Sequence, residues 1–185
     1  MPRKPDAGLE GHILDAAYQL WTRRGEGGLT MRAVAKAAGT TTPTVYERFQ
    51  DKNGLLALLR QRALNHLVEV LKAPGTAAAT CRRFLGFASS HPNEYRLLTS
   101  DWAAKLSRDE PKPTYEIIKG RLAAELGGDP EEHAHLALAL GAIVHGTATM
   151  LMTKGVEEHV THELRGACHE ACKALIEIEK TKSRR

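Results

Sequence analysis

At 185 residues, 42% hydrophobic and 26% charged, the chain has the balance of an ordinary soluble domain rather than a disordered or membrane one. A formal net charge of +4 suits a polyanionic partner without demanding one, so the placement of the charges has to decide. The opening residues, Met1 to Asp6, lack the apolar core of a leader peptide. The longest apolar stretch, Leu136 to Met152, contains Gly141, His145 and Gly146 and falls short of the ~20 apolar residues a spanning helix needs. The expectation is a cytoplasmic protein with no membrane partner, whose three cysteines are reduced thiols rather than a disulfide framework.

Apolar residues recur at three- and four-residue spacing throughout, so the reading is helical. A first helix is expected from Leu9 to Arg24, with Leu9, Ile13, Ala16, Ala17, Leu20 and Trp21 on one face and Gly25 as its stop. Thr30 caps a second, Met31 to Ala38, which ends at Gly39. Pro43 opens a third, running to Phe49, because proline suits a first helical position. Asp51 caps a long helix from Lys52 to Lys72, broken by Ala73-Pro74-Gly75. Five more are expected over Thr76 to Ser90, Asn93 to Leu106, Thr114 to Leu126, Glu131 to Lys154 and Thr161 to Lys180, separated by glycines and prolines. The expected fold class is all-α with about nine helices. A three-helix, helix-turn-helix head would occupy residues 1–51, and a helical bundle residues 52–185.

The two short helices, joined by a turn that starts at Gly39 and braced by the first helix, make the helix-turn-helix pattern. Gly39 supplies a backbone conformation that a Cβ resists. Small Thr42, Pro43 and Thr44 keep the leading end of the third helix slim enough for a major groove about 12 Å wide. Val45 and Phe49 face inward toward Trp21, Leu20 and Val34, while Thr44, Glu47 and Arg48 face outward. Peptide N–H groups at this helix start, with the threonine hydroxyls, suit phosphates. Arg3 and Lys4 have two readings, an arm reaching a minor groove or a solvated terminus.

Ile13-Leu14-Asp15-Ala16-Ala17, Leu20-Trp21, Gly25, Leu29-Thr30-Met31-Arg32, Val34-Ala35, Ala38-Gly39, Thr44-Val45-Tyr46, Phe49, Lys52 and Leu55-Leu56 together resemble the N-terminal signature of the TetR family of regulators. The resemblance covers about the first 56 residues without a gap and is far more specific than a bare helix-turn-helix. It implies that Thr41, Thr44, Tyr46 and Lys52 contact phosphates, and that Thr42, Pro43 and Glu47 stand nearest the base edges. It also implies that Thr30 both caps its helix and touches the DNA backbone. Two positions depart from the usual pattern: Arg48, where a histidine is common, adds a phosphate contact, and Thr40 replaces a small aliphatic residue. Glu47 is either repelled by phosphate or accepts from a cytosine amino group.

In the body, Phe84, Phe87, Tyr95, Trp102 and Tyr115 fall on three consecutive predicted helices. They are candidates both for plain core and for the lining of an apolar effector cavity with polar tips. Leu136 to Met152 is apolar on nearly every face and rich in Ala137, Ala139, Gly141, Ala142, Gly146 and Ala148, so it must be surrounded. With the helix after it, it is read as a two-fold, four-helix dimer interface, as the resemblance also suggests. The Gly141 to Gly146 segment is similar to a His-Gly-containing regulatory-domain subtype, and His145 is either a ligand contact or a satisfied core histidine. The implied function is a ligand-responsive repressor that binds a palindromic DNA operator as a homodimer, released by a small, largely apolar effector. A regulator not gated by a small molecule, or a metal-dependent sensor, is the alternative.

No cofactor, no metal and no enzymatic activity are expected. His162-Glu163 and His169-Glu170 begin like zinc-protease helices, but no histidine completes either motif. Cys168 and Cys172 lie one helical turn apart and suit a soft metal, yet third and fourth ligands at metal-site spacing are missing.

Overall fold

The computed structural model describes residues 7–100, 112–153 and 155–182, and among them every regular element is helical. The α-helices are α1 (Ala7–Arg24), α2 (Met31–Ala37), α3 (Thr42–Phe49), α4 (Lys52–Lys72), α5 (Ala77–Ser90), α6 (Pro92–Thr99), α7 (Pro113–Leu126), α8 (Ala134–Leu151) and α9 (Glu158–Lys182). Short 3-10 turns at Glu26–Gly28 and Pro130–His133 precede α2 and α8. The helix expected from Glu131 is therefore a 3-10 turn followed by α8, with Pro130 opening the turn and Asp129 accepting from the Glu131 N–H. Trp102, the second half of the helix expected to reach Leu106, and the arm residues Arg3 and Lys4 lie outside the described residues.

Two compact units divide the chain. The first holds the described residues up to Asn65 together with residues 93–100. Its core is built from Ile13, Ala17 and Trp21 of α1, Met31, Val34 and Ala35 of α2, Val45 and Phe49 of α3, Leu55, Leu59 and Ala63 of α4, and Leu97 of α6. The first four turns of α4 and α6 from Asn93 onward thus pack with the head, so the packing unit extends well past Asp51. Polar groups fasten α6 in place. The Trp21 indole N–H donates to the Asn93 carbonyl at 2.7 Å, and the Asn93 amide donates to the Thr22 carbonyl at 2.9 Å. The Tyr18 hydroxyl donates to Glu94 Oε2 at 2.6 Å, with the Arg62 guanidinium 4.4 Å from the Tyr18 ring centre. Burial, then the Glu94 carboxylate, hold the Tyr18 phenol above its ordinary range, so it stays a donor. Glu94 is only 4% exposed. Tyr18→Phe removes a charge-assisted donor from a buried carboxylate and is expected to cost about 1.5–3 kcal/mol, read as a lower urea midpoint at unchanged m-value.

The second unit packs α5, α7, α8 and α9 against one another. Leu85, Leu122, Leu140, Val144, Ala148 and Ile176 are buried there. Arg83 donates to the Ala73 carbonyl at 2.9 Å, and Arg121 donates to the Lys72 and Ala73 carbonyls at 3.0 and 3.2 Å. These two cations satisfy carbonyls that the end of α4 leaves unpaired and complement its negative pole.

Among the described residues, one stripe of α8 is covered: Ala137, Leu140, Val144 and Ala148. Leu138 and Met150 are 51% and 53% exposed, and Ala139, Ala142 and Gly146 are exposed with them. Counted with its 3-10 turn, Pro130–Leu151 is 22 residues and, by length and composition, apolar enough to cross a membrane, although the shorter count from Leu136 is not. Its most apolar window is 28% buried, so much of the helix's apolar surface is uncovered among the described residues.

Candidate nucleic-acid interface

The geometry of α2 and α3 is set by their starts. Thr30 has extended backbone, φ −126° and ψ 150°, and its hydroxyl accepts from the Ala33 N–H at 3.1 Å, capping α2. Gly39 has φ +62°, and no heavy atom lies within 4 Å of where its Cβ would be. It is required for its backbone conformation, then, and not for space. Thr41 is the cap of α3, and the helix begins one residue before Pro43. The Thr41 hydroxyl accepts from the Thr44 N–H at 3.4 Å and lies 2.8 Å from the Thr44 hydroxyl. Two hydroxyls that share one hydrogen bond retain one proton between them, so the pair still has a donor to offer. The Thr44 N–H, in contrast, is engaged, and Pro43 has none, so hydroxyls carry more of the donor capacity here than the peptide groups do.

A sharp link follows. Gln50 adopts φ +60°, the one non-glycine residue with positive φ among those described, and its N–H donates to the Tyr46 carbonyl at 2.8 Å. Asp51 then caps α4 by accepting from the Gly54 N–H at 2.8 Å. A Cβ on Gly54 would stand 2.4 Å from the Phe49 carbonyl oxygen. Glycine there permits the close approach that sets Lys52 beside the end of α3; this requirement was not visible in the sequence, where Gly54 reads only as a weak helix residue.

The two sides of α3 separate cleanly. Val45 and Phe49 are 0% and 4% exposed in the head core. Thr41, Pro43, Tyr46 and Glu47 are exposed, and Thr42, Thr44, Arg48 and Lys52 half-buried. Tyr46 stands out at 48% exposure, large for an aromatic ring that a monomer has no reason to leave in water. Arg32 and Lys36 are exposed on α2. Arg32, Lys36, Arg48 and Lys52 make no ion pair among the described residues. The outward side thus presents hydroxyls, a phenol and uncommitted cations, the donor set that contacts phosphate oxygens.

The body's candidate residues do not converge on one wall. Phe84 meets the His145 ring edge-on, 4.9 Å between centres. Burial lowers the His145 pKa, favouring the neutral imidazole. Phe87 packs in a separate group with His66 and His91, at 5.2 and 5.0 Å. The Tyr115 hydroxyl donates to the Ala134 carbonyl at 2.6 Å, joining α7 to the start of α8. Tyr95 is 1% exposed and belongs to the first unit. Helical spacing gave the phase of these rings along each helix but not which unit each would join.

Sequence reasoning also missed a neighbour of Cys172. Cys81 of α5 lies against Cys172, and a hydrogen bond between the two thiols, with burial, pushes Cys172 well above the ordinary thiol range. Burial raises Cys168 as well, against the effect of a hydrogen bond to Thr147. All three cysteines are free and buried.

Comparison with known proteins agrees with this geometry. Residues 13–59 match the family described as bacterial regulatory proteins, tetR family, and residues 77–174 match the tetracyclin repressor-like C-terminal domain. An uncharacterised helix-turn-helix-type transcriptional regulator of Mycobacterium tuberculosis is 25% identical over 154 residues, 76% of this chain and 69% of the relative. The regulator AcrR of Shigella flexneri is 30% identical over 79 residues, 40% of this chain and 37% of AcrR. Among solved structures, a tetR-family regulator from Streptomyces coelicolor superposes with a TM-score of 0.70 at 18% identity, covering 95% of this chain and 83% of that one. The multidrug binding protein EbrR, complexed with proflavin, superposes with a TM-score of 0.61 at 17% identity, over 90% of this chain and 99% of EbrR. At those identities the structural likeness carries the fold, and the sequence matches carry the membership. A capped, slim α3 held on the core by Val45 and Phe49, followed by a C-terminal match over more than half of the chain, places this protein in the TetR family of helix-turn-helix transcriptional regulators.

Proposed function

We propose that the chain is a homodimeric repressor whose α3 lies in the major groove of a palindromic operator and whose body binds a small, largely apolar effector. The observation that carries the DNA reading is the sidedness of α3: Val45 and Phe49 hold it to the core while Tyr46 and Glu47 stand in solvent. In this reading Thr41, Thr44, Tyr46, Arg48 and Lys52 contact phosphates, and Thr30 adds one from the cap of α2. Thr42, Pro43 and Glu47 stand at the base edges. Two copies joined through α8 and α9 would place two heads on half-sites about 34–36 Å apart or a multiple of that. The exposed stripe of Leu138, Ala142, Gly146 and Met150 supports a second copy as the partner of α8, since small residues allow close helix approach.

For the effector, Phe84 with His145, and Phe87, supply apolar and weakly polar surface in the second unit. EbrR, similar in fold, is a multidrug binding protein complexed with proflavin. We read an effector here as acting through α4, whose residues are shared between the two units. A ligand that prefers the DNA-incompetent form by a typical 1–3 kcal/mol would weaken DNA binding by roughly 5- to 150-fold.

The test is selection of bound duplexes from a random pool by the full chain. An inverted repeat whose half-sites are about one helical turn, or a whole number of turns, apart is the expected result. Enrichment of a single unrepeated site, or of no sequence, would contradict the dimeric reading.

A further inference from the structure

Two of the chain's nine histidines are brought together within the second unit. His66 lies on the part of α4 that belongs to that unit, and His91 caps the end of α5. Their ring centres are 4.8 Å apart at an interplanar angle of 72°, and a nitrogen of one ring lies within 4.8 Å of a nitrogen of the other. Phe87 stands one turn before His91, whose N–H donates to the Phe87 carbonyl at 2.8 Å. Its ring packs against both imidazoles, 5.2 Å from His66 and 5.0 Å from His91 between centres. Phe87 is buried and the two histidines are half-buried, so the pair is backed by an apolar ring and still reaches the surface. Spacing along the chain gave no sign of this pair, because its members sit on different helices.

Two imidazoles held across two helices make a chelate. Imidazole suits zinc, copper and nickel, and among the divalent ions of this row affinity peaks at copper. Two nitrogens on one ion at about 2.0–2.1 Å each stand roughly 3 Å apart. The rings therefore close by less than about 2 Å, which a change of side-chain torsion supplies. Neutral imidazoles bring no charge to offset a dication, and a bare buried dication is costly. A half-buried position meets that cost by leaving the ion its remaining waters.

We propose that His66 and His91 form a two-imidazole site for a late first-row divalent ion, tightest for copper(II). Binding is a ligand exchange. Two metal-bound waters leave as two nitrogen lone pairs take their places, and the ion keeps its oxidation state. The bound ion ties the end of α5 to α4. The site depends neither on how the head reads DNA nor on an effector in the body.

The test uses the full chain without a histidine tag, titrated under argon with copper(II) and, separately, zinc(II) chloride. One copper(II) per chain is expected to survive gel filtration, with an electron paramagnetic resonance spectrum whose superhyperfine splitting counts two nitrogens. That count comes from the wild-type protein and does not depend on any variant folding. Zinc(II) is expected to raise the melting temperature, because the unfolded chain does not hold the two rings together. H66Q and H91Q, each checked for helicity by circular dichroism, are expected to lose both the retained copper and the shift with zinc. H159Q, at an exposed histidine of α9, should keep both. No retained copper, a count other than two nitrogens, or a site unchanged by H66Q or H91Q would overturn the proposal. So would metal binding that leaves the melting temperature unmoved, the mark of adventitious binding at surface histidines.

Discussion

Lys52→Ala is expected to weaken binding to every duplex sequence while leaving the preferred sequence unchanged. Lys52 opens α4 directly after the Gln50–Asp51 link, and it makes no ion pair among the described residues. A cation on a phosphate gains mainly by releasing condensed counterions, and each such contact contributes about 0.9 to the slope of log affinity against log salt. A dimer carries the residue twice, so the slope should fall by roughly 1.8, which at ~0.15 M salt is roughly a 30-fold loss of affinity. Titrations by fluorescence anisotropy at several salt concentrations read both numbers. Glu47→Gln separates the two readings of that carboxylate. If Glu47 accepts from a cytosine amino group, discrimination at one base pair relaxes by about 1–3 kcal/mol. If it is merely repelled by phosphate, affinity rises on all sequences alike.

Leu138→Glu is expected to turn the dimer into a monomer without unfolding it. Leu138 is half exposed in the single chain, so the substitution removes little intrachain packing and helicity should persist. Across a two-fold interface the change occurs twice. Each copy forfeits the burial of an apolar side chain and puts a carboxylate on a face that also carries exposed Ala142, Gly146 and Met150. Losing about 2 kcal/mol of apolar burial from each copy, before any desolvation of the carboxylates, weakens association roughly a thousandfold. Sedimentation velocity distinguishes the forms. A variant that stays dimeric with its wild-type stability would move the interface elsewhere. Wild-type protein that is monomeric in solution and co-sediments with lipid vesicles would assign the Pro130–Leu151 face to a membrane instead.

The head was legible because its determinants are local. Thr30 and Thr41 cap helices three residues ahead of the N–H groups they satisfy, Gly39 meets a backbone requirement of its own, and Val45 and Phe49 are fixed by helical period. The start of α3 moved from Pro43 to Thr42, with Thr41 as its cap, because the run of threonines after Gly39 offers several equivalent caps. What escaped the sequence is what depends on distant pairs. Asn93 and Glu94 read as an ordinary helix start, yet they hold α1 through Trp21, Thr22 and Tyr18. Of the aromatic residues read into the body, Tyr95 belongs to the unit of the head and Tyr115 is fastened to Ala134. Cys81 carried no mark that it would meet Cys172, since nothing in a helical period specifies which face of a second helix lies opposite.

The placement of α3 is tested most directly by dimethyl sulfate footprinting on a duplex enriched by the selection. Guanine N7 lies in the major groove and adenine N3 in the minor groove, so the reagent reports both at once. Protection of guanine N7 in two symmetric patches about one helical turn, or a whole number of turns, apart, abolished by placing a large side chain at Thr42, is the predicted result. Unprotected guanines with protection confined to adenine N3 would contradict it.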